Sequence, residues 1–83
     1  MQAKTIMGTN DFYGMSADKI RGNALWYERN GVYSIAREAY ECLMHLGGMR
    51  KGEYLRLTAI YLHRRDIINA NRVIGRYKAI YGS

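Results

Sequence analysis

The sequence contains one cysteine, no proline and no long apolar run. With Cys42 alone, the chain has neither a disulfide framework nor a zinc-binding cysteine pattern, which is typical of a reducing compartment. No segment approaches the ~20 apolar residues that a membrane-spanning helix needs. Residues 1–15 lack the uninterrupted apolar stretch of a signal peptide. These absences predict a soluble, cytoplasmic protein.

The residue patterns of catalytic and cofactor sites are also missing. His45 and His63 are isolated, and the pair Glu41 and His45 has no third potential metal ligand at a matching spacing. Gly47-Gly48 is not followed by the lysine and hydroxyl residue of a phosphate-binding loop. We therefore predict that the protein is not an enzyme and that it uses no cofactor or metal.

Positive charge is concentrated in the second half of the chain. The 83 residues carry a net charge of +6, yet residues 1–49 contain five basic and five acidic side chains. Residues 50–83 contain eight basic side chains and only Glu53 and Asp66 as acids. This asymmetry favours attraction to an acidic protein surface or to nucleic acid.

Apolar residues recur at helical spacing in four segments, which predicts helices over residues 17–29, 33–46, 51–63 and 67–81. In the fourth segment the predicted packing stripe is Ile67, Ala70, Ile74, Tyr77, Ile80 and Tyr81. Ser16 and Asp66 are predicted N-caps, since their short side chains accept hydrogen bonds from the first helical turn. No segment alternates as a strand does. The predicted fold is all-α, with four helices arranged as two antiparallel helical hairpins.

The predicted domain organisation is a single domain over residues 1–83. Residues 17–46 form the first hairpin and residues 51–81 form the second. Residues 1–15 show no sustained period and are predicted to form a non-helical N-terminal arm, with a short strand as the main exception.

The two hairpins match each other weakly when the first is laid on the second with Tyr27 on Tyr61. Ala36 then falls on Ala70. We call this displacement the repeat offset, and it equals the period of about 34 residues that is typical of the tetratricopeptide helical hairpin. The first hairpin resembles this motif at Tyr27, Gly31, Tyr33, Ala36 and Tyr40, with Ala24 in place of the family's small glycine and Ile20 in place of its tryptophan. The second resembles it at Tyr54, Leu57, Thr58, Tyr61, Ala70 and Ile74.

The resemblance covers residues 17–81 and has clear departures. Arg65 stands where the family has a turn glycine, and further departures occur at Asn23, Leu43, Gly48 and Tyr77. Membership would imply a protein that holds other proteins in a groove lined by the first helix of each hairpin. Of the cationic side chains that hold a carboxylate in that groove, only Arg21 and Arg29 are present, so that specificity is not predicted.

Two hairpins are fewer than the three or so repeats that usually bury a continuous core. We therefore expect apolar faces at the ends of the pair. Phe12, Tyr13 and Met15 of the arm, a second copy of the chain or the target protein would cover them.

Two features of the second hairpin are predicted to bind a partner. The first is an apolar stripe on the third helix, and the second is a basic face on the fourth helix, flanked by Asn71 and Lys78. The predicted partner-binding residues are Leu55, Ala59, Leu62, His63, Arg64, Arg65, Asn69, Arg72, Arg76 and Lys78. Alternatively, the stripe is covered by the arm or by a second copy, and the basic face is only solvated.

Three functional hypotheses follow. The first is a protein–protein interaction module or adaptor that binds a larger, acidic partner; a homodimer remains open. The alternative is a nucleic-acid-binding protein that uses the basic second half, with salt-dependent affinity. The third is a small inhibitor or regulator of a nucleic-acid-handling complex, of the phage type.

Overall fold

A computed structural model of the chain describes Phe12 and residues 14–82. It contains four helices: α1 (Ala17–Arg29), α2 (Tyr33–Leu46), α3 (Lys51–His63) and α4 (Ile67–Tyr81). These bounds confirm the four predicted helices, and the described residues contain no strand. The predicted arm over residues 1–15, with its short strand and Tyr13, lies for the most part outside the described residues.

The predicted end signals act locally at the helix termini. The Ser16 hydroxyl accepts a hydrogen bond from the Lys19 amide at 3.2 Å, and Asp66 accepts one from the Asn69 amide at 3.2 Å. The hydrogen bonds from Asn69 lower the pKa of Asp66. Gly47 ends α2 in the left-handed conformation, at φ 77°, which a glycine adopts without steric cost.

The helices pack as two hairpins, α1 against α2 and α3 against α4, and α2 also contacts α3. Three-residue turns, 30–32 and 64–66, connect the helices of each hairpin, so the two helices run antiparallel. One buried core extends through both hairpins. It consists of Phe12, Ile20, Ala24, Tyr27, Ile35, Ala36, Ala39, Tyr40, Leu43, Met44, Met49, Tyr54, Leu57, Ile60, Tyr61, Ala70 and Val73.

Helix α4 buries much less of its apolar surface than its sequence suggests. Ala70 and Val73 are its only buried residues, while Ile67 and Ile80 of the predicted apolar stripe are more than half exposed. Ile74 and Tyr77 are half-buried. The reason is the position of the helix: no further layer of the described residues packs on α4, so much of its apolar stripe faces outward.

The repeat offset holds in the backbone as well as in the sequence. Both ends of α3 fall on the residues that correspond to the ends of α1, and α4 begins at the residue that corresponds to the start of α2. The turns repeat too, because Gly31 has φ 77° and the corresponding Arg65 has φ 62°. Arg65 is the only residue other than glycine with positive φ among the described residues. The left-handed turn conformation is thus present in both hairpins, although only the first hairpin has glycine, the residue type that adopts it most easily.

Candidate partner-binding surfaces

Arg21 of α1 connects the two hairpins and is not free to bind a ligand. Its Nε donates to Glu53 Oε2 at 2.5 Å, and its Nη2 donates to Glu53 Oε1 at 3.3 Å and to the Gly48 carbonyl oxygen at 2.5 Å. The side chains of Arg21 and Glu53 are each only 12% exposed. The hydrogen bond to Glu53 raises the pKa of Arg21, which therefore stays charged.

A second polar contact between the hairpins centres on Glu28 of α1. Its Oε1 accepts hydrogen bonds from the Tyr40 hydroxyl at 2.7 Å and from Arg56 Nε at 3.0 Å. Burial, and then the hydrogen bond to Glu28, raise the pKa of Tyr40. The hydrogen bond to Glu28 also raises the pKa of Arg56. Since Arg56 lies on α3, this carboxylate neutralises one of the cations of the basic second half.

The third contact engages two residues predicted to bind a partner, Arg72 and Asn69. Glu41 Oε2 accepts hydrogen bonds from the Tyr61 hydroxyl and from Arg72 Nη2, and Arg72 Nε donates to Asn69 Oδ1 at 3.1 Å. Burial, together with Glu41, raises the pKa of Tyr61 to about 12. Arg72 is therefore bound within the molecule, and the predicted basic face of α4 is interrupted at its centre.

Four predicted cations remain on the surface, but they do not form one patch. Arg64, Arg65, Arg76 and Lys78 are exposed, and none of them forms an ion pair within the part of the chain that the structure describes. Arg76 follows Arg72 by four residues and lies on the same side of α4. Lys78 comes two residues after Arg76 and so lies on nearly the opposite side of the helix, rather than beside the basic face.

Two of the predicted apolar residues, Leu55 and Leu62, lie on the outer side of the second hairpin. They are seven residues apart on α3, which places them on one side of that helix. The buried Leu57 lies on the opposite side, next to Arg56, which binds Glu28 of the first hairpin. Leu55 and Leu62 are therefore turned away from the first hairpin, and they are 46% and 50% exposed.

Helix α4 extends this apolar surface with two isoleucines. Leu62 and Ile67 flank the turn between α3 and α4, and Leu55 and Ile74 each lie seven residues farther from that turn. Because the helices run antiparallel, Leu62 and Ile67 lie at one level along the hairpin, and Leu55 and Ile74 lie at another. We call Leu55, Leu62, Ile67 and Ile74 the end face. Sequence reasoning assigned the two isoleucines to the packing stripe and missed their place on this surface.

Ala59 and His63 lie on a different side of α3, beside the first hairpin. They line a small groove of about 220 Å³ together with Glu28, Tyr33, Arg56 and Ile60. The His63 and Tyr33 rings meet at a tilt, with their centroids 6.1 Å apart. Nine of the ten predicted partner-binding residues thus divide among this groove, the end face, the side of α4 next to α2, and the turn between α3 and α4, and Lys78 lies on the other side of α4.

A larger cavity of about 500 Å³ lies beside α2, and of its lining only Arg72 was predicted from the sequence to bind a partner. Phe12, Met15, Cys42 and Leu46 supply apolar lining, and Glu41, Tyr61 and Arg72 contribute a polar wall. These residues come from three helices and the segment before α1. No local sequence pattern brings them together, which explains why the cavity could not be predicted.

The described residues contain no group of three or more histidine, cysteine, aspartate or glutamate side chains placed to hold a metal ion. Among the described helices, none has the length and apolar character needed to cross a membrane.

Comparisons with protein-family models, with curated proteins and with solved structures find no match to this chain.

Proposed function

We propose that this chain is a small, non-enzymatic protein–protein interaction module built from two tetratricopeptide-like hairpins. The repeated helix bounds and the repeated positive φ at residues 31 and 65 support a shared hairpin plan. Non-covalent holding of another protein is the usual work of such hairpins.

The observation that carries this proposal is the exposed end face. Ile67 is 54% exposed, similar to Leu55 and Leu62. A chain of 83 residues buries a smaller fraction of its surface than a larger protein does, so each exposed apolar side chain costs it more stability. Contiguous apolar side chains on the surface of a small protein are typical of an interaction site. Binding a partner would remove these side chains from water, which stabilises the complex by about 25 cal/mol per Å² of apolar area.

The exposed cations of the second hairpin that form no ion pair with the described residues supply the electrostatic part of the proposal. Arg64, Arg76 and Lys78 produce a positive field that accelerates the approach of an acidic partner. The apolar end face then contributes most of the affinity. An adaptor and a small inhibitor or regulator would both use this arrangement.

Affinity capture with matched variants tests the proposal. The immobilised protein is exposed to an extract of its native host, and the bound proteins are identified by mass spectrometry. We expect that Leu62→Asp loses a partner that the unaltered chain retains. The matched control is Leu46→Asp, because Leu46 is 59% exposed and lies on the first hairpin.

Circular dichroism confirms that each variant is folded before the comparison. Partners retained equally by the unaltered chain and by folded Leu62→Asp would contradict a role for the end face.

A second candidate function is nucleic-acid binding. The observation in its favour is that Arg64, Arg65 and Arg76 are exposed and have no ion-pair partner among the described residues. Binding through phosphates predicts an affinity for duplex DNA that falls steeply as salt rises. Titration of the duplex at two salt concentrations, with Arg65→Glu/Arg76→Glu as the control, tests it. Absence of binding at low salt would remove this candidate.

A further inference from the structure

At the repeat offset, the residues of the end face correspond to residues through which the first hairpin contacts the second. Helix α3 starts at the residue that corresponds to the start of α1, so Leu55 corresponds to Arg21 and Leu62 to Glu28. Arg21 and Glu28 are the α1 side chains that bind α3, through Glu53 and Arg56. The same position on α3 therefore faces the place where another helix would pack.

The correspondence extends to α4. Ile67 and Ile74 correspond to Tyr33 and Tyr40 of α2. Tyr33 contacts His63 of the second hairpin, and the Tyr40 hydroxyl donates to the carboxylate that binds Arg56. All four members of the end face thus match residues that join one hairpin to the next. The two sets of residues differ in chemistry, because the polar side chains of the first hairpin are replaced by leucine and isoleucine in the end face.

Cations lie at both ends of the end face. Lys51 precedes Leu55 by four residues and Lys78 follows Ile74 by four, so both lie on the same side of their helices as the apolar quartet. Arg64 lies in the turn at the other end. The second hairpin has only two acids to offset these charges. Glu53 accepts hydrogen bonds from Arg21 and the Arg50 amide, and Asp66 caps α4.

From this placement we propose that the end face binds an acidic amphipathic helix of a partner protein, which packs on the second hairpin as α3 packs on the first. This inference rests on the proposed function and specifies its partner. The apolar stripe of the partner helix covers the quartet, and carboxylates toward its ends meet Lys51, Lys78 and Arg64. A second copy of this chain is a poorer occupant, because two apposed end faces would bring six cations together with only the two Asp66 carboxylates nearby, and each Asp66 already accepts hydrogen bonds from Asn69.

A synthetic peptide pair tests the chemistry of the partner. The first peptide is an amphipathic helix of about 18 residues with one leucine stripe, glutamate near both ends and alanine elsewhere. The second has lysine in place of each glutamate. Fluorescence anisotropy measures binding of each labelled peptide to the full chain. The end face is small, so we expect a Kd on the order of 10 µM for the acidic peptide and at least about tenfold weaker binding of the lysine peptide.

Variants of the chain locate the binding. Leu62→Asp should weaken binding of the acidic peptide by about tenfold or more, and Leu46→Asp should leave it unchanged. Lys51→Glu/Lys78→Glu alters only exposed side chains. It should weaken binding of the acidic peptide and strengthen binding of the lysine peptide.

Several outcomes would overturn the inference. The lysine peptide binding as tightly as the acidic one would show that charge plays no part. An unchanged affinity of folded Leu62→Asp for the acidic peptide would show that binding occurs elsewhere. Dimerisation of the chain by sedimentation equilibrium, lost in Leu62→Asp, would identify a second copy as the occupant. If neither peptide binds but a captured host protein is still lost in Leu62→Asp, the inference fails while the proposed function stands.

Discussion

Replacing Arg65 with glycine should stabilise the protein, because Arg65 has φ 62° in the turn between α3 and α4. The left-handed conformation costs a residue that bears a side chain about 1–2 kcal/mol, and glycine avoids that cost. The greater flexibility of glycine in the unfolded chain offsets about 0.4–1 kcal/mol. The Arg65 amide donates to the Leu62 carbonyl oxygen at 2.9 Å, a bond that glycine retains. We expect a net increase of about 0.5–1 kcal/mol in the free energy of unfolding.

Urea denaturation followed by circular dichroism measures this change, and in a thermal scan the same gain corresponds to a Tm higher by about 3–6 °C. Arg65→Ala is the matched control, because it removes the charge while keeping a Cβ in the left-handed turn; we expect a change close to zero. Gly31→Ala tests the corresponding turn, where a Cβ would meet no atom within 4 Å. It should destabilise the protein by about 1 kcal/mol through backbone conformation alone. A loss of stability in Arg65→Gly, or a neutral Gly31→Ala, would refute the reasoning.

Three further predictions concern stability. Gly75→Ala should raise the free energy of unfolding by about 0.5–1 kcal/mol, because Gly75 lies within α4 and a Cβ there would meet no atom within 4 Å; an unchanged urea midpoint would contradict this. Arg21→Met should cost about 1–3 kcal/mol by leaving Glu53 without its cation, whereas Arg21→Met/Glu53→Gln should recover part of the loss, because glutamine is uncharged and still accepts the hydrogen bond from the Arg50 amide; equal losses in the single and double variants would contradict this. The pKa of Tyr61 is raised to about 12 in the folded state, so the stability linked to this group is complete below pH 10 and is lost as pH rises toward 12. The stability difference between the unaltered chain and Tyr61→Phe should therefore fall by about 1 kcal/mol between pH 8 and pH 11 in urea denaturation, and a constant difference would exclude the shift.

The helices were predictable because their signals are local. Ser16 and Asp66 cap α1 and α4 through hydrogen bonds that reach only three residues along the chain. Gly47 ends α2 because glycine adopts the left-handed conformation freely. Helices joined by short turns pack antiparallel against each other, so the two hairpins also follow from the sequence.

The candidate surface was only partly predictable. The spacing of Leu55 and Leu62 indicated an apolar stripe, and both are half exposed as an interaction site requires. The same periodicity in α4 indicated a packing stripe at Ile67 and Ile74, although Ile67 is exposed beside those leucines. Periodicity reveals that a helix has an apolar side, but it does not reveal whether another layer of the protein covers that side.

The sequence by itself determined the four helices, their bounds, the repeat offset between the hairpins and the excess positive charge of the second half. Only the tertiary structure decided which arginine side chains are bound within the molecule. Arg21, Arg56 and Arg72 are bound by glutamates 32, 28 and 31 residues away, in the other hairpin. The physical reason is distance: an ion pair forms only when side chains approach within a few ångströms, and the packing of the hairpins, not the order of residues, brings these side chains together.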